Sequence, residues 1–243
     1  MKTLSTDYGE VRILTHEEIY QHTLDFIKAA AASAGDKLAT VGLTGGSTPK
    51  AFYQWVNEND ALPLEIAKKV LWTTSDERCV PLDDDDNNFG HAVRGMLDPL
   101  GLPAENKLAW PTELEPAECA AKYQAYWDFH YGADTAYDVC FVGMGGDNHT
   151  LSLFPECPLI KEDPQQNFAS TLWPSRGWRV TLTVAGLARC KQIVVSTTGE
   201  GKAEALKKAI RGEYDPFHKP VQLVREHAAK TVWLVDEPAA ALL

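Results

Sequence analysis

The stretch LATVGLTGGSTPK, residues 38–50, sets the structural pattern of this chain. Its first half is a short apolar run typical of a buried strand, and Pro49 is a residue favoured at the first position of a helix. We therefore predict a strand, a glycine turn and a helix that begins near Pro49. Such a turn can present backbone N–H groups, two hydroxyls and a helix N-terminus to a single phosphate, although an ordinary capped turn fits the same residues.

The same order of elements recurs along the chain. Apolar residues at helical spacing predict a helix over 15–35, with Thr15 as its N-cap and Gly35 as its stop. Other segments are assigned by their apolar pattern: helices near 88–97 and 116–131, and strands at 69–75, 137–142, 179–184, 192–197 and 230–235.

This alternation predicts an α/β fold with a mostly parallel sheet covered on both faces by helices. In such sheets ligands bind beyond the carboxyl ends of the strands. The chain has 243 residues and no long Pro/Gly/Ser linker, which favours a single domain over residues 1–243.

Composition excludes several classes of function. The formal net charge of −11 and a pI of about 5.1 argue against a nucleic-acid or anionic-membrane surface. The first residues lack a signal-peptide core, and no apolar stretch reaches the ~18 residues of a membrane span, so we expect a cytoplasmic protein. Five cysteines without a C-x-x-C pair indicate neither disulfides nor zinc, and the acidic run LDDDDNN (82–88) is typical of a solvated loop.

A second glycine turn, GMGGDNHTLSLFP (143–155), follows the strand predicted at 137–142. It places His149 where α/β proteins bind their ligands. A histidine side chain, with an ordinary pKa of about 6.5, is mostly neutral at cellular pH and can accept a proton from water. We predict His149 as a general base, with Asp147 as a candidate for orienting the imidazole or the water.

Basic residues lie beside three other strands. TSDERCVP (74–81) offers Arg78, which could hold an anion or be neutralised by Asp76 and Glu77. Arg179 opens the strand RVTLT, and Lys202 lies in TTGEGKAEAL, where a strand leads into a helix. Each of these cations taken alone is typical of an ordinary surface residue, so their value as a site depends on their coming together.

Taken in order, GLTGGSTP, SDERCVP, Asn88, GMGGDNHTLSLFP, RVTLT and GEGKA resemble the 6-phosphogluconolactonase family over roughly residues 40–205. The resemblance implies a Rossmann-like fold and hydrolysis of 6-phospho-D-glucono-1,5-lactone, the second step of the oxidative pentose phosphate pathway. It implies a phosphorylated sugar lactone as the partner, with no metal and no organic cofactor. We expect a monomer or a weak homodimer.

The resemblance and the chemistry together assign the site. A lactone needs an activated water and a stabilised oxyanion, and no covalent intermediate is required. His149 is then the base and Asp147 its orienting partner, while Arg78 could bind either the phosphate or the oxyanion. The phosphate is assigned to the first glycine turn and two cations: Gly45, Gly46, Ser47, Thr48, Arg179 and Lys202.

Two residues depart from the family pattern Gly-Pro-Asp-Gly-His-Thr. Asn148 replaces its second glycine, and asparagine is the residue other than glycine that best tolerates a positive φ. Gly146 replaces the proline, which predicts a looser turn.

Three alternative functions remain open at this point. Aminoisomerases similar to glucosamine-6-phosphate deaminase have the sequences Asp-Glu-Tyr and Asn-Glu-Pro at two positions where this chain has Asp-Glu-Arg (76–78) and Leu-Phe-Pro (153–155). The acidic residue that follows the histidine in those enzymes is therefore missing here. A non-catalytic sugar-phosphate sensor is disfavoured because only about 37 residues, predicted as a short segment and a helix, precede the first strand. A serine hydrolase acting through Ser47 or Ser152 lacks a G-x-S-x-G elbow.

Overall fold

The computed structural model describes residues 2–243 and is built around a seven-stranded sheet with the order β1-β2-β10-β9-β6-β3-β4. Every neighbouring pair in it is parallel except β1 and β2, so the predicted mostly parallel α/β sheet is confirmed. The strands within the described residues have these bounds: β1 (Lys2–Thr6), β2 (Gly9–Leu14), β3 (Ala39–Leu43), β4 (Val70–Thr74), β5 (Asp76–Arg78), β6 (Val139–Gly143), β7 (Phe168–Trp173), β8 (Gly177–Leu182), β9 (Gln192–Thr197) and β10 (Thr231–Asp236).

Helices cover both faces of this sheet. The α-helices are α1 (His16–Ser33), α2 (Ser47–Glu58), α3 (Leu64–Ala67), α4 (Asn88–Ala92), α5 (Pro116–Tyr131), α6 (Pro158–Glu162), α7 (Val184–Arg189) and α8 (Ala203–Arg211). A π-helical turn, Val93–Leu97, continues α4, and 3₁₀ segments lie at Ala104–Asn106, Glu200–Lys202 and Pro220–Lys230.

Two apolar clusters, one on each side of the sheet, form the core. Adjacent residues of β9 point to opposite faces, so Val194 packs in the cluster that contains Ile27 of α1, and Val195 packs in the cluster that contains Trp127 of α5. Strands buried on both faces read as continuous apolar runs, which is why β3, β6 and β9 were predictable from the sequence.

Local sequence explains where the first helix begins. The Thr15 hydroxyl accepts a hydrogen bond from the N–H of Glu18, and the Glu18 carboxylate accepts one from the N–H of Thr15. This capping box confirms the predicted N-cap. Helix α2 instead begins at Ser47, two residues before the predicted Pro49, with Gly46 as its N-cap.

Two strand predictions were wrong or incomplete. The residues before α1 form the β1–β2 hairpin at the edge of the sheet, where the sequence indicated only a short segment. The strand predicted at 179–184 is β8, which lies in a separate antiparallel sheet of order β5-β8-β7. These strands are short or partly exposed, so their apolar pattern is weak, and periodicity does not distinguish parallel from antiparallel pairing.

The order of the central strands determines where loops meet. Strands β9, β6, β3 and β4 are neighbours and parallel, so the loops after their carboxyl ends converge. Those loops hold both glycine turns, the start of β5 and the segment that leads to Lys202. Among residues 2–243, no helix combines the length and the apolar character that crossing a bilayer requires.

Candidate active site

A cavity of about 270 Å³ opens at these carboxyl ends. Its polar and charged lining consists of Thr44, Asp76, Arg78, Asn88, His149, Ser152, Arg176, Arg179 and Lys202, and its glycines are Gly45, Gly46, Gly143 and Gly145. Residues from six separate segments of the chain therefore meet at one point, as expected for a ligand site in an open α/β sheet.

Most of the residues predicted for the site lie together there. Gly45, Gly46, Arg78, His149, Arg179 and Lys202 line the cavity, and Asp147 contacts it through His149. Ser47 and Thr48 are not among the lining residues. Ser47 is exposed at the start of α2, and the Thr48 hydroxyl forms a 2.8 Å hydrogen bond with the hydroxyl of Thr198. Their assignment to the phosphate stays a prediction.

The turn that carries His149 is closed by its own backbone. The N–H of Gly145 donates to the carbonyl of His149, and the N–H of Asn148 donates to the carbonyl of Gly145. Asn148 has a φ of 65°, so asparagine does adopt the conformation predicted for it. Its side chain also donates a 2.7 Å hydrogen bond to the carbonyl of Ala205, which anchors the turn to α8.

His149 and Asp147 form a close pair. The imidazole Nδ1 lies 2.5 Å from a carboxylate oxygen of Asp147, and this hydrogen bond lowers the pKa of Asp147 to about 2. The imidazole and the ring of Trp173 meet in a T-shaped contact, with ring centroids 4.7 Å apart. A Cβ at Gly145 would overlap both the imidazole and the carboxylate, so the backbone approaches the pair as only glycine allows.

The first glycine turn packs on an amide side chain. A Cβ at Gly45 would overlap the carboxamide of Asn88, which itself donates to the carbonyl of Asp76. Gly46 has a φ of 110° and caps α2 without a side-chain hydrogen bond. The first N–H groups of α2 therefore have no side chain to satisfy them, a condition that favours an anion at this end of the helix.

Three of the lining cations have only carbonyl partners. Arg78 and Arg179 are directly opposite each other in the β5–β8 pair, and their side chains donate to the carbonyls of Asp86 and Trp178. Lys202 donates a 3.0 Å hydrogen bond to the carbonyl of Met144. Within the described residues, none of the three has a carboxylate within salt-bridge distance.

The pairing of two like charges has an electrostatic cost. Burial, and then the positive charge of Arg78, lower the pKa of Arg179. An anionic ligand between or near these groups would relieve that repulsion, so the cavity attracts anions although the protein is acidic overall.

The alternation of β5 separates its two carboxylates. Asp76 and Arg78 line the cavity, whereas Glu77 points away and accepts hydrogen bonds from the N–H groups of Arg78, Asn88 and Phe89. Burial raises the pKa of Glu77 to about 7. The sequence prediction left the role of this segment open, and a period of two along 76–78 was the signal that could have assigned it.

Asp76 and Arg176 are functional candidates that were not predicted. The Asp76 carboxylate is buried and accepts a 2.7 Å hydrogen bond from the Ser152 hydroxyl. Arg176 stacks over Trp173 with its guanidinium carbon 4.7 Å from the ring centroid. Trp173 is the last residue of β7 and Arg176 lies in the turn that leads to β8, so this end of the β7–β8 hairpin forms part of the cavity wall.

The remaining predicted features lie outside the cavity. The five cysteines are free, four of them buried. The aspartates of the run 82–88 are exposed. Within residues 2–243, no three His, Cys, Asp or Glu side chains converge as a metal site would require.

Fold and site together define an α/β protein with a histidine–carboxylate pair beside an anion-binding cavity. Residues 15–233 match the family of glucosamine-6-phosphate isomerases/6-phosphogluconolactonase. The chain is 32% identical to human 6-phosphogluconolactonase over 225 residues, covering 89% of this chain and 85% of the relative. It is 31% identical to 6-phosphogluconolactonase of Synechocystis over 219 residues, covering 88% and 87%.

The fold agrees with these sequence matches. The structure of 6-phosphogluconolactonase from Trypanosoma cruzi superposes with a TM-score of 0.82 at 19% identity, covering 100% of this chain and 99% of that one. The chain belongs to the glucosamine-6-phosphate isomerase/6-phosphogluconolactonase family, as its sequence motifs predicted.

Proposed function

We propose that this protein hydrolyses 6-phospho-D-glucono-1,5-lactone to 6-phospho-D-gluconate, and that His149 activates the attacking water. Family membership supports the substrate, because the two sequence relatives described above are 6-phosphogluconolactonases. The single observation that supports the mechanism best is the His149–Asp147 pair in a cavity lined by unpaired cations.

The hydrogen bond to Asp147 determines which imidazole nitrogen is the base. A carboxylate at Nδ1 holds the neutral tautomer with its proton on that nitrogen, which leaves Nε2 to accept a proton from water. As the proton transfers, the nearby carboxylate stabilises the imidazolium that forms. General-base catalysis of this kind typically contributes about 10²- to 10⁴-fold.

Binding of the phosphate is assigned to groups that have no competing anion. The N–H groups at the start of α2, which directly follows Gly45 and Gly46, can donate hydrogen bonds to the phosphate. They also form the positive end of the helix dipole. Lys202 and Arg179 supply the charge. Arg78 is assigned either to the phosphate or to the oxyanion, because it pairs with Arg179 and lies in the same cavity.

The role of Arg78 can be tested with two substrates. An Arg78→Ala variant that loses activity only toward the phosphorylated lactone would assign the side chain to the phosphate. Equal losses toward 6-phosphogluconolactone and unphosphorylated glucono-1,5-lactone, of the order of 10²-fold, would assign it to the oxyanion. Arg179→Ala, in comparison, should chiefly raise KM for the phosphorylated lactone.

The decisive experiment measures hydrolysis of 6-phosphogluconolactone, generated in situ, against its spontaneous rate. Wild type should accelerate the loss, and His149→Ala should fall toward the spontaneous rate with its fold intact. His91→Ala is the matched control, because His91 lies outside the cavity and contacts the carbonyl of Asp85. Full activity of His149→Ala would contradict the proposed base.

The alternatives give different results in the same assays. An aminoisomerase would release ammonia from glucosamine 6-phosphate, and a sensor would bind the sugar phosphate without turnover. A serine nucleophile would be either Ser47, which does not line the cavity, or Ser152, which is buried and donates its hydroxyl hydrogen to Asp76. We therefore expect Ser152→Ala to retain turnover and no covalent adduct to be trapped on the wild-type protein.

A further inference from the structure

The segment that carries Lys202 contains two glycines with open space around them. Lys202 is the last residue of the 3₁₀ turn Glu200–Lys202. Gly199, which has a φ of 92°, directly precedes this turn. A Cβ at Gly199 or at Gly201 would meet no atom within 4 Å. Packing around these two glycines therefore does little to hold the turn, although Lys202 must lie at a defined place to bind a phosphate.

A buried carboxylate from the neighbouring strand holds the turn. Asp236 is the last residue of β10, which pairs with β9, and it is 5% exposed. Its two carboxylate oxygens lie 2.9 and 3.0 Å from the backbone nitrogen of Gly199. The same carboxylate accepts hydrogen bonds from the N–H of Ala239 and from Nε2 of His16, which is largely exposed.

A second contact connects the same turn to the phosphate-binding helix. The hydroxyl of Thr198, next to Gly199, is 2.8 Å from the hydroxyl of Thr48 in the first turn of α2. The Lys202 segment is thus fixed on one side to α2 and on the other to Asp236. Of these two tethers, the Asp236 carboxylate is the charged one, and hydrogen bonds to a charged acceptor are the stronger.

We propose that Asp236 is a positioning residue for phosphate binding, which sets the place of the Lys202 ammonium by holding the N–H of Gly199. The proposal rests on the proposed assignment of Lys202 to the substrate phosphate. Asp236 does not line the cavity and so acts only through the turn. An asparagine there offers one acceptor oxygen instead of two, and its amide group must face at least one of the present donors.

The test compares Asp236→Asn with Asp138→Asn. Asp138 is the matched control, because it accepts hydrogen bonds from the N–H and hydroxyl of Thr40 at the opposite, amino end of the sheet. Asp236→Asn should raise KM for 6-phosphogluconolactone about tenfold and change kcat less than threefold. Asp138→Asn should lower the thermal unfolding temperature comparably but leave KM unchanged.

A double-mutant cycle shows whether the effect passes through the lysine. In a Lys202→Ala background, Asp236→Asn should raise KM by less than a further twofold, because the group it positions is gone. A full tenfold effect in that background, or an Asp236→Asn variant with unchanged KM, would overturn the proposal.

Two measurements separate this proposal from the proposed activity. Titration calorimetry with 6-phosphogluconate should show the same tenfold loss of affinity in Asp236→Asn, whether or not the wild type hydrolyses the lactone. Failure of wild type to bind 6-phosphogluconate would overturn the positioning role of Asp236, whereas the hydrolysis assay decides the proposed activity independently. If Asp236→Asn does not fold, hydrogen exchange in wild type decides, since a Gly199 amide that exchanges as freely as an exposed amide would contradict the tether.

Discussion

At the scale of single residues, the most constrained part of the site is the backbone beneath His149 and Asp147. Gly145 has no space for a Cβ, because the imidazole and the carboxylate occupy it, whereas Gly146 is exposed and has open space around it. The two adjacent glycines therefore differ in their tolerance of alanine, and they form a natural pair of variants.

Gly145→Ala should lower kcat by about 10²-fold or more, because the added methyl group displaces the base. Gly146→Ala should retain kcat and stabilise the protein by about 0.4–1 kcal/mol, since φ at 146 is not among the positive values and alanine restricts the unfolded chain. Urea unfolding and steady-state rates check both. A large loss of kcat in Gly146→Ala would show that flexibility of the turn is required.

Asp147 should titrate only in strong acid. The hydrogen bond to His149 lowers its pKa in the folded state to about 2, below the ordinary value of 3.8. The stabilisation from this pair is therefore complete above about pH 4 and is lost as pH falls through about 2. Between pH 4 and pH 2, wild type should lose more unfolding free energy than Asp147→Asn does; parallel curves would contradict the pairing.

The same pair predicts a kinetic effect. Asp147→Asn should lower kcat by about tenfold or more and leave KM nearly unchanged, because the amide no longer fixes the tautomer or stabilises the imidazolium. Since Asp147 stays ionised above about pH 4, its protonation cannot cause a loss of activity between pH 7 and pH 5.

At the scale of elements, the short strand β5 organises one side of the cavity. Its three residues alternate, so Asp76 and Arg78 face the cavity while Glu77 accepts the first N–H groups of α4. The same bonds place Asn88 against the first glycine turn. The roles of these three residues stayed open from the sequence, because the alternation that distinguishes them extends over only three positions.

Glu77 makes the stability of this element pH-dependent. Burial first, and the charge of Asp76 in addition, raise its pKa from 4.5 to about 7 in the folded state. The protonated acid is thus favoured by folding, so the stabilisation is present below about pH 4.5 and is lost as pH rises through about 7. A shift of this size corresponds to a change of about 3 kcal/mol in the unfolding free energy.

A Glu77→Gln variant isolates that contribution. From pH 5 to pH 8, the unfolding free energy of wild type should fall relative to that of Glu77→Gln, because all other titrating groups are common to both. Urea unfolding at several pH values measures the difference. A difference that is constant with pH would show that Glu77 does not titrate in this range.

At the scale of the whole molecule, we propose that the two sheets unfold together as one domain. The N–H of Leu182 in β8 donates to the carbonyl of Ser75 after β4, and one apolar cluster contains both Val180 of β8 and Val195 of β9. Calorimetry should give a single transition with equal calorimetric and van't Hoff enthalpies. Two resolved transitions would show that the β5-β8-β7 sheet is a separate unit.

The sequence by itself determined the central strands, the long helices and the turn of His149. Strands such as β3, β6 and β9 are buried on both faces, and α1 and α5 follow a helical period, so each is encoded within its own residues. The motif order was sufficient to predict the family and most residues of the cavity.

Only the tertiary structure decided which distant residues meet. The pairing of Arg78 with Arg179, the bond from Gly199 to Asp236 and the second sheet all join segments far apart in sequence. The hydrogen bond between the hydroxyls of Thr48 and Thr198 is another such contact, and the assignment of Thr48 to the phosphate stays a prediction. Local composition determines whether a segment is helix or strand, but register and side-chain partners depend on how the elements pack, so those contacts could not be predicted from the sequence.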